Sequence, residues 1–263
     1  MLRTGANLRR LQLTDGNTAA PSTASLWRFA ILRCCRMAVM YTVYSICTAL
    51  HTILQDFSRS GRNLGLLSDP WALGLRAYMS VEFFIYSHAV LTGLHDLAAL
   101  IGVSLLGWDQ PQDWPPLFGD ITEAYTLRRF WGVYWHRLHV ASLSSFMPAA
   151  LRSGPAAGLK NDKRRLKSAA LRTLVIFTLS ALVHAAVGWF IMRDSSSFVG
   201  GDVCFLLLNG AVCVLERVVE RRLGRAVPGG VRGWWFRPLG YVWVLLVFLC
   251  VAPACLYPWI YSY

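Results

Sequence analysis

Charge is the scarcest property of this 263-residue chain: only 15% of its residues are charged, where a soluble domain carries about 25%. That shortfall argues against a soluble globule. Acidic residues are scarcer still, 14 against 26 Lys and Arg, for a net charge of +12. Cysteine is limited to seven residues, an odd number with no CxxC and no Cys/His ligand spacing, which excludes a disulfide framework and the common zinc sites. Before Ser25 there is no apolar stretch of the kind that forms the centre of a cleavable signal peptide. Internal repeats are lacking too, so solenoid architectures are excluded.

What the chain has instead is apolar surface. Hydrophobic residues make up 55% of it, aromatic residues 13%, and the mean hydropathy is +0.42. Five segments, near 37–54, 77–106, 169–192, 198–215 and 239–257, are apolar enough to cross a hydrocarbon core, which takes about 20 helical residues. The expected fold is all-α: a polytopic integral membrane protein of about five transmembrane helices, with cytoplasmic interfacial helices. The second segment is long, so it must tilt, break near Gly93 or run out along the interface. It also carries Glu82, His88, His95 and Asp96, so lipid cannot surround it.

The cations give the orientation. Of the 26 Lys and Arg, 21 lie in the N-terminal region, the 107–168 loop and the 216–238 loop, which share a side if there are five spans, while four lie on the other. Cytoplasmic loops accumulate Lys and Arg, so the N-terminus is expected in the cytoplasm. The positive balance reflects this and not a nucleic-acid partner. Residues 1–26 read as a mobile polar tail, and 27–263 as one membrane-embedded domain. The 107–168 stretch mixes Trp, Phe, Tyr and Pro with Arg and reads as interfacial helices on the cytoplasmic surface.

Two groups of residues carry chemical potential. His184 stands inside the apolar run LRTLVIFTLSALVHAAVGWFIM. Ionisable groups inside a bilayer are costly and face a protein interior or a water-filled path, so His184 is either a functional residue or an imidazole bonded to Ser180 that braces two helices. The second group is FWGVYWHRLH, residues 130–139. An aromatic belt with Arg and His near lipid phosphates explains its Trp and Arg, but explains less well the Trp135-His136 pair and the upstream WPPLFGD.

WPPLFGDITEAYTLRRFWGVYWHRL (114–138), then TLSALVH (178–184), then a span ending in Glu216 and GYVWVLLVFL (240–249) together resemble the wax synthase-like branch of the membrane-bound O-acyltransferases. That branch includes fungal acetyltransferases of terpenoid and meroterpenoid pathways. The resemblance covers roughly 108–257. Val133 and Tyr134 stand where the family often has two basic residues, Ser180-Ala181 where Ser-Gly is common, and family members are longer, with further N-terminal spans.

The resemblance implies transfer of an acyl group, acetyl above all, from acyl-CoA to the hydroxyl of a hydrophobic alcohol. Acyl-CoA is then a co-substrate, with no permanently bound cofactor and no metal. The partners are the lipid bilayer, the donor and a greasy alcohol, and the location is the endoplasmic reticulum membrane. By resemblance His184 is the general base, since a neutral imidazole suits that task near pH 7. His136 is the second polar residue at the reaction centre. Trp131, Trp135, Arg128 and Arg137 hold or position CoA, through phosphate pairing and adenine stacking. Glu216 reads as structural, pairing with Arg217 or another loop cation, and His88, His95, Glu82 and Asp96 read as bridges between helices. Two rival classes share the membrane body: a membrane terpene cyclase or prenyl transferase, disfavoured by the lack of Asp-rich magnesium-diphosphate motifs, and an inert scaffold, which would need neither histidine.

Overall fold

The structure is a computed structural model that describes residues 23–59, 70–136, 138, 140–147, 162–191, 196–226 and 236–260. Its long elements are helices α1 (Thr23–Arg59), α2 (Pro70–Ala99), α5 (Asp162–Ile191), α6 (Ser196–Ala226) and α7 (Phe236–Ile260). Two short helices, α3 (Leu127–Arg129) and α4 (Val140–Ser145), lie between α2 and α5. No strand occurs among the described residues. Three helical stretches are long and apolar enough to cross a membrane: Ser25–Ile53, Ala77–Leu105 and Leu166–Phe190. A shorter apolar run, Phe236–Ala252, lies in α7.

The chain divides into two compact units, Met1–Leu117 and Phe118–Tyr263. In the first, α1 packs on α2. Polar contacts recur along the seam between them. Near one end the carboxylate of Asp96, with no solvent exposure, takes ion pairs from Arg33 and Arg36. Arg33 also donates to the backbone carbonyl of Trp114, whose ring meets that of His95 at 5.2 Å. Midway the rings of Tyr44 and Tyr86 lie 5.1 Å apart. Towards the other end His51 Nδ1 sits 3.5 Å from the Glu82 carboxylate. Residue numbers rise on α1 as they fall on α2, so the helices are antiparallel. Paired charges are the form in which ionisable groups are tolerated at membrane depth. Asp96 and Glu82 therefore bridge helices, as expected.

Elsewhere α1 presents apolar side chains outward, including Ile31, Leu32, Val39 and Ile53. The hydroxyls of Thr42, Ser45, Thr48 and Thr52 each donate to the carbonyl four residues earlier, at 2.9–3.0 Å. Such bonds leave no bare polar group towards hydrocarbon.

One alternative for the second segment is excluded, and two boundaries differ from expectation. α2 does not break near Gly93: it runs unbroken to Ala99 and then loosens into a π-helical turn, Leu100–Leu105. A Cβ at Gly93 would meet nothing within 4 Å, so no close approach needs that glycine. α6 runs on to Ala226, so the first half of the expected 216–238 loop is helical. α5 starts at Asp162, inside the basic run that reads as loop. At both of these boundaries the chain keeps its backbone hydrogen bonds by extending a helix past its apolar stretch. Of the expected 1–26 tail, residues 1–22 lie outside the described residues, as do Arg137 and His139, whereas 23–26 form the first turn of α1.

In the second unit α6 packs against both α5 and α7. Residues 118–136 are folded onto α6 and α7 and form the site.

Candidate active site

The segment from Phe118 to His136 contains little regular structure, so each of its polar backbone groups needs a named partner. Helix α3 is three residues long and is capped from outside. Thr126 Oγ1 accepts from Arg129 N at 3.2 Å, and the Glu216 carboxylate of α6 accepts from Leu127 N at 2.8 Å and Arg128 N at 3.0 Å. The Nε1–H of Trp243, on α7, donates to the same carboxylate at 2.7 Å. One side chain thus ties three elements. It also lies 3.8 Å from Arg128 Nε, and Arg128 pairs with Glu220 as well. The expected partner of Glu216 was Arg217 or another loop cation, and Arg128 is that cation.

After α3 the chain makes a π-helical turn, Phe130–Tyr134, closed by Trp135 N donating to Phe130 O at 2.7 Å, and then becomes extended at Trp135. Trp131 and Trp135 do come together, with ring centroids 5.8 Å apart, but through this turn and not along one α-helical face. Gly119 N donates to Tyr134 O at 2.8 Å, and a Cβ on Gly119 would lie 2.1 Å from Val133 O. The glycine of WPPLFGD is therefore required for the loop to lie against the FWG turn. Gly119→Ala is expected to lower stability by about 1–3 kcal/mol, the usual cost of forcing atoms into a filled site, seen as a lower melting temperature in detergent.

The start of α7 is fastened to the same segment. Tyr241 donates its hydroxyl to Thr122 O at 2.5 Å, and a Cβ on Gly240 would lie 2.1 Å from Tyr125 O. The Tyr125 ring takes the guanidinium groups of Arg129 and Arg237 at 4.6 and 5.1 Å from its centroid. Both arginines also pair with Glu123.

Trp131 lies at the centre of this unit. Its Nε1–H donates to Asn209 Oδ1 at 3.0 Å; Asn209, wholly buried on α6, donates in turn to Phe205 O at 2.8 Å. The ring packs against Phe177 of α5, Phe205 of α6 and Phe248 of α7, at centroid distances of 5.9, 6.1 and 6.3 Å. The FWG turn therefore packs between α5, α6 and α7.

Trp135 is buried, stacked on Phe130 at 5.5 Å and edge-on to Phe118 at 5.2 Å. Its neighbour His136 is half-buried; its ring stands perpendicular to Phe118 at 5.9 Å and lies 5.5 Å from Trp135. His184 is on α5, seven residues beyond Phe177, about two turns or 10 Å of helix axis. At 100° per residue, Phe177, Ala181, His184 and Gly188 form one stripe. Ala181 and Gly188 are buried in it, whereas His184 is exposed. The structure thus gathers Trp131, Trp135 and His136 into one aromatic cluster, engages Arg128 with two glutamates, and leaves His184 reachable further along α5.

Asn209 is the residue that the sequence reading missed. The signal was available, since a lone amide inside CFLLLNGAVCVL is subject to the same cost that singled out His184.

Residues 114–208 match the membrane bound O-acyl transferase family. The matched stretch contains the whole FWG segment and His184, and ends one residue before Asn209. Similar proteins include acetyltransferase ataH of Aspergillus terreus, 30% identical over 198 residues, covering 63% of this chain and 60% of that protein. O-Mevalon transferase yanI of Aspergillus niger is 28% identical over 249 residues, 86% of this chain and 52% of that protein. Acetyltransferase aurG of Calcarisporium arbuscula is 34% identical over 157 residues, 59% of this chain and 36% of that protein. The chain thus spans about a third to three-fifths of the length of these family relatives. No solved structure matches it.

Proposed function

We propose that this chain carries the acyl-transfer centre of a membrane-bound O-acyltransferase that moves an acyl group, acetyl above all, from acyl-CoA to the hydroxyl of a hydrophobic alcohol of the terpenoid type. The observation that carries the reading is the FWG turn, held between helices by Glu216 and Asn209 and contacting, through Trp131, the same stripe of α5 that bears an exposed His184. The match of residues 114–208 to the membrane bound O-acyl transferase family, and the similarity to fungal acetyltransferases, support the reaction class.

In this reading His184 accepts the proton of the alcohol as its oxygen attacks the thioester carbon. The C–S bond then breaks, and the departing CoA sulfur takes the proton back from the imidazolium. His136, carried next to Trp135 by the extended end of the turn, polarises or orients the thioester carbonyl. Trp131 and Trp135 act by fixing the shape of the turn, since the Trp131 indole N–H is bonded to Asn209 and the Trp135 ring is buried. Arg128 holds the same turn through Glu216 and Glu220, and Arg137, outside the described residues, supplies a cation for the donor. The packing of the turn between helices brings the donor arm to within about two helix turns of His184.

The membrane arrangement proposed with it is five spans, α6 and α7 added to the three long apolar stretches, with the N-terminus in the cytoplasm of an endoplasmic reticulum membrane. Reporter fusions after Leu13 and Tyr263 are expected on opposite sides; reporters on one side remove a span. For the activity, microsomes containing the chain are given radiolabelled acetyl-CoA and a panel of hydrophobic alcohols. Labelled ester is expected from the chain and not from its His184→Ala variant, and the absence of ester from every alcohol and acyl length would overturn the reading.

A further inference from the structure

The extension of α6 past its apolar stretch carries a cation that the site has not used. Arg217 is half-buried one residue after Glu216, and its Nε is buried with no hydrogen-bond partner among the described residues. The nearby carboxylates are committed elsewhere. Glu216 accepts two backbone N–H groups and the Trp243 indole, and Glu220 pairs with Arg128. Burial first, and the adjacent Arg128 guanidinium second, pull the Arg217 pKa below its ordinary value, with Glu220 opposing them. A guanidinium remains charged under these conditions, so a half-buried cation with an unpartnered Nε donor stands on the extension of the helix that holds the FWG turn.

We propose that Arg217 binds a phosphate group of the CoA donor, so that the nucleotide end of the donor rests on the α6 extension while its acyl arm follows the FWG turn inward. This rests on the acyl-CoA reading above. A guanidinium offers five N–H donors in a fork that fits two phosphate oxygens, which satisfies the group that the protein leaves open. Arg221, one turn further along the helix, adds positive potential on the same side.

The test is equilibrium binding of tritiated CoA to the full chain in nanodiscs, together with transfer from acetyl-CoA and from S-acetyl-N-acetylcysteamine, a donor without phosphate. Arg217→Ala is expected to weaken CoA binding and raise KM for acetyl-CoA at least tenfold, while kcat/KM for the truncated donor stays within twofold of wild type. Arg217→Lys, which keeps the charge and loses the fork, is expected to fall between the two and serves as the folding-neutral variant if alanine destabilises the helix. Wild-type CoA affinity in both variants would overturn the inference and leave the acyltransferase reading standing. A wild-type chain that binds no CoA and transfers from neither donor would overturn both. Unchanged CoA affinity in zwitterionic nanodiscs, combined with weaker association of Arg217→Ala with anionic lipid, would overturn it by assigning the cation to lipid headgroups.

Discussion

Asp96→Ala is expected to be the most destabilising single substitution in the first unit, costing about 3–5 kcal/mol, the range for removing one partner of a buried ion pair. Asp96 has no solvent exposure and is the shared partner of Arg33, itself buried, and of the half-buried Arg36. Without it two guanidinium groups remain in the α1–α2 seam, with the Trp114 carbonyl and, 3.5 Å from Arg33, the His95 Nδ1 as neutral partners. The measurement is thermal unfolding in detergent together with the yield of membrane-inserted protein. A second variant isolates the cause. Replacing Arg33, Arg36 and Asp96 together by leucine removes all three charges, and apolar residues of similar volume substitute for buried ion networks at little or no cost. Most of the stability lost in Asp96→Ala should return, less about 1 kcal/mol for the donor lost by the Trp114 carbonyl. A triple variant no more stable than Asp96→Ala would mean that the seam depends on shape, with the charges incidental.

The bridging role of Asp96 was legible because a charge inside an apolar stretch must be paired. Its partners were not, since Arg33 and Arg36 are some sixty residues away and only the antiparallel register of α1 and α2 brings them to it. The helical class was legible for a similar reason: apolar runs of twenty residues leave few choices of backbone. Helix ends were read less well. Residues such as Arg217 and Arg221 look like loop because they are charged, yet nothing in ERVVERR breaks a helix, so α6 continues through them. Charge marks where the hydrocarbon ends, whereas Gly, Pro and capping residues mark where a helix ends.

At the site, the aromatic character of the FWG segment was legible, whereas its packing between helices was not. Trp, Arg and His are the residues of a membrane interface, and composition alone puts them there. The turn is held against α6 because Asn209 and Glu216, far along the chain, accept its N–H groups. Glu216 is the more exacting of the two. Glu216→Gln retains the length of the arm but turns an acceptor into a donor towards either a backbone N–H or Arg128. It is expected to cost about 1.5–3 kcal/mol, the value of hydrogen bonds to a charged group, with a lower melting temperature and altered Trp243 fluorescence. Unchanged values in both would show that α3 does not need its cap from α6.

His184→Ala is expected to lower kcat by on the order of 10² to 10⁴, about 2.7–5.4 kcal/mol of barrier at 1.36 kcal/mol per tenfold change. Folding should be nearly unaffected: the side chain is exposed on α5 while Ala181 and Gly188, in the same stripe, carry the packing. Alanine is also the best helix former. His184→Asn makes the assignment sharp. An amide can reproduce a hydrogen bond that an imidazole makes to a neighbour, but it cannot take the alcohol proton near neutral pH. If His184 is the base, Asn is nearly as inactive as Ala and both accumulate normally. If the ring only braces helices, Asn is active and Ala is the variant that folds poorly. Single-turnover acyl transfer, with expression and detergent stability measured on the same preparations, separates the two patterns. An active His184→Asn enzyme would remove His184 from the chemistry, because no relaxation of the surrounding helices can give an amide the basicity that the step demands.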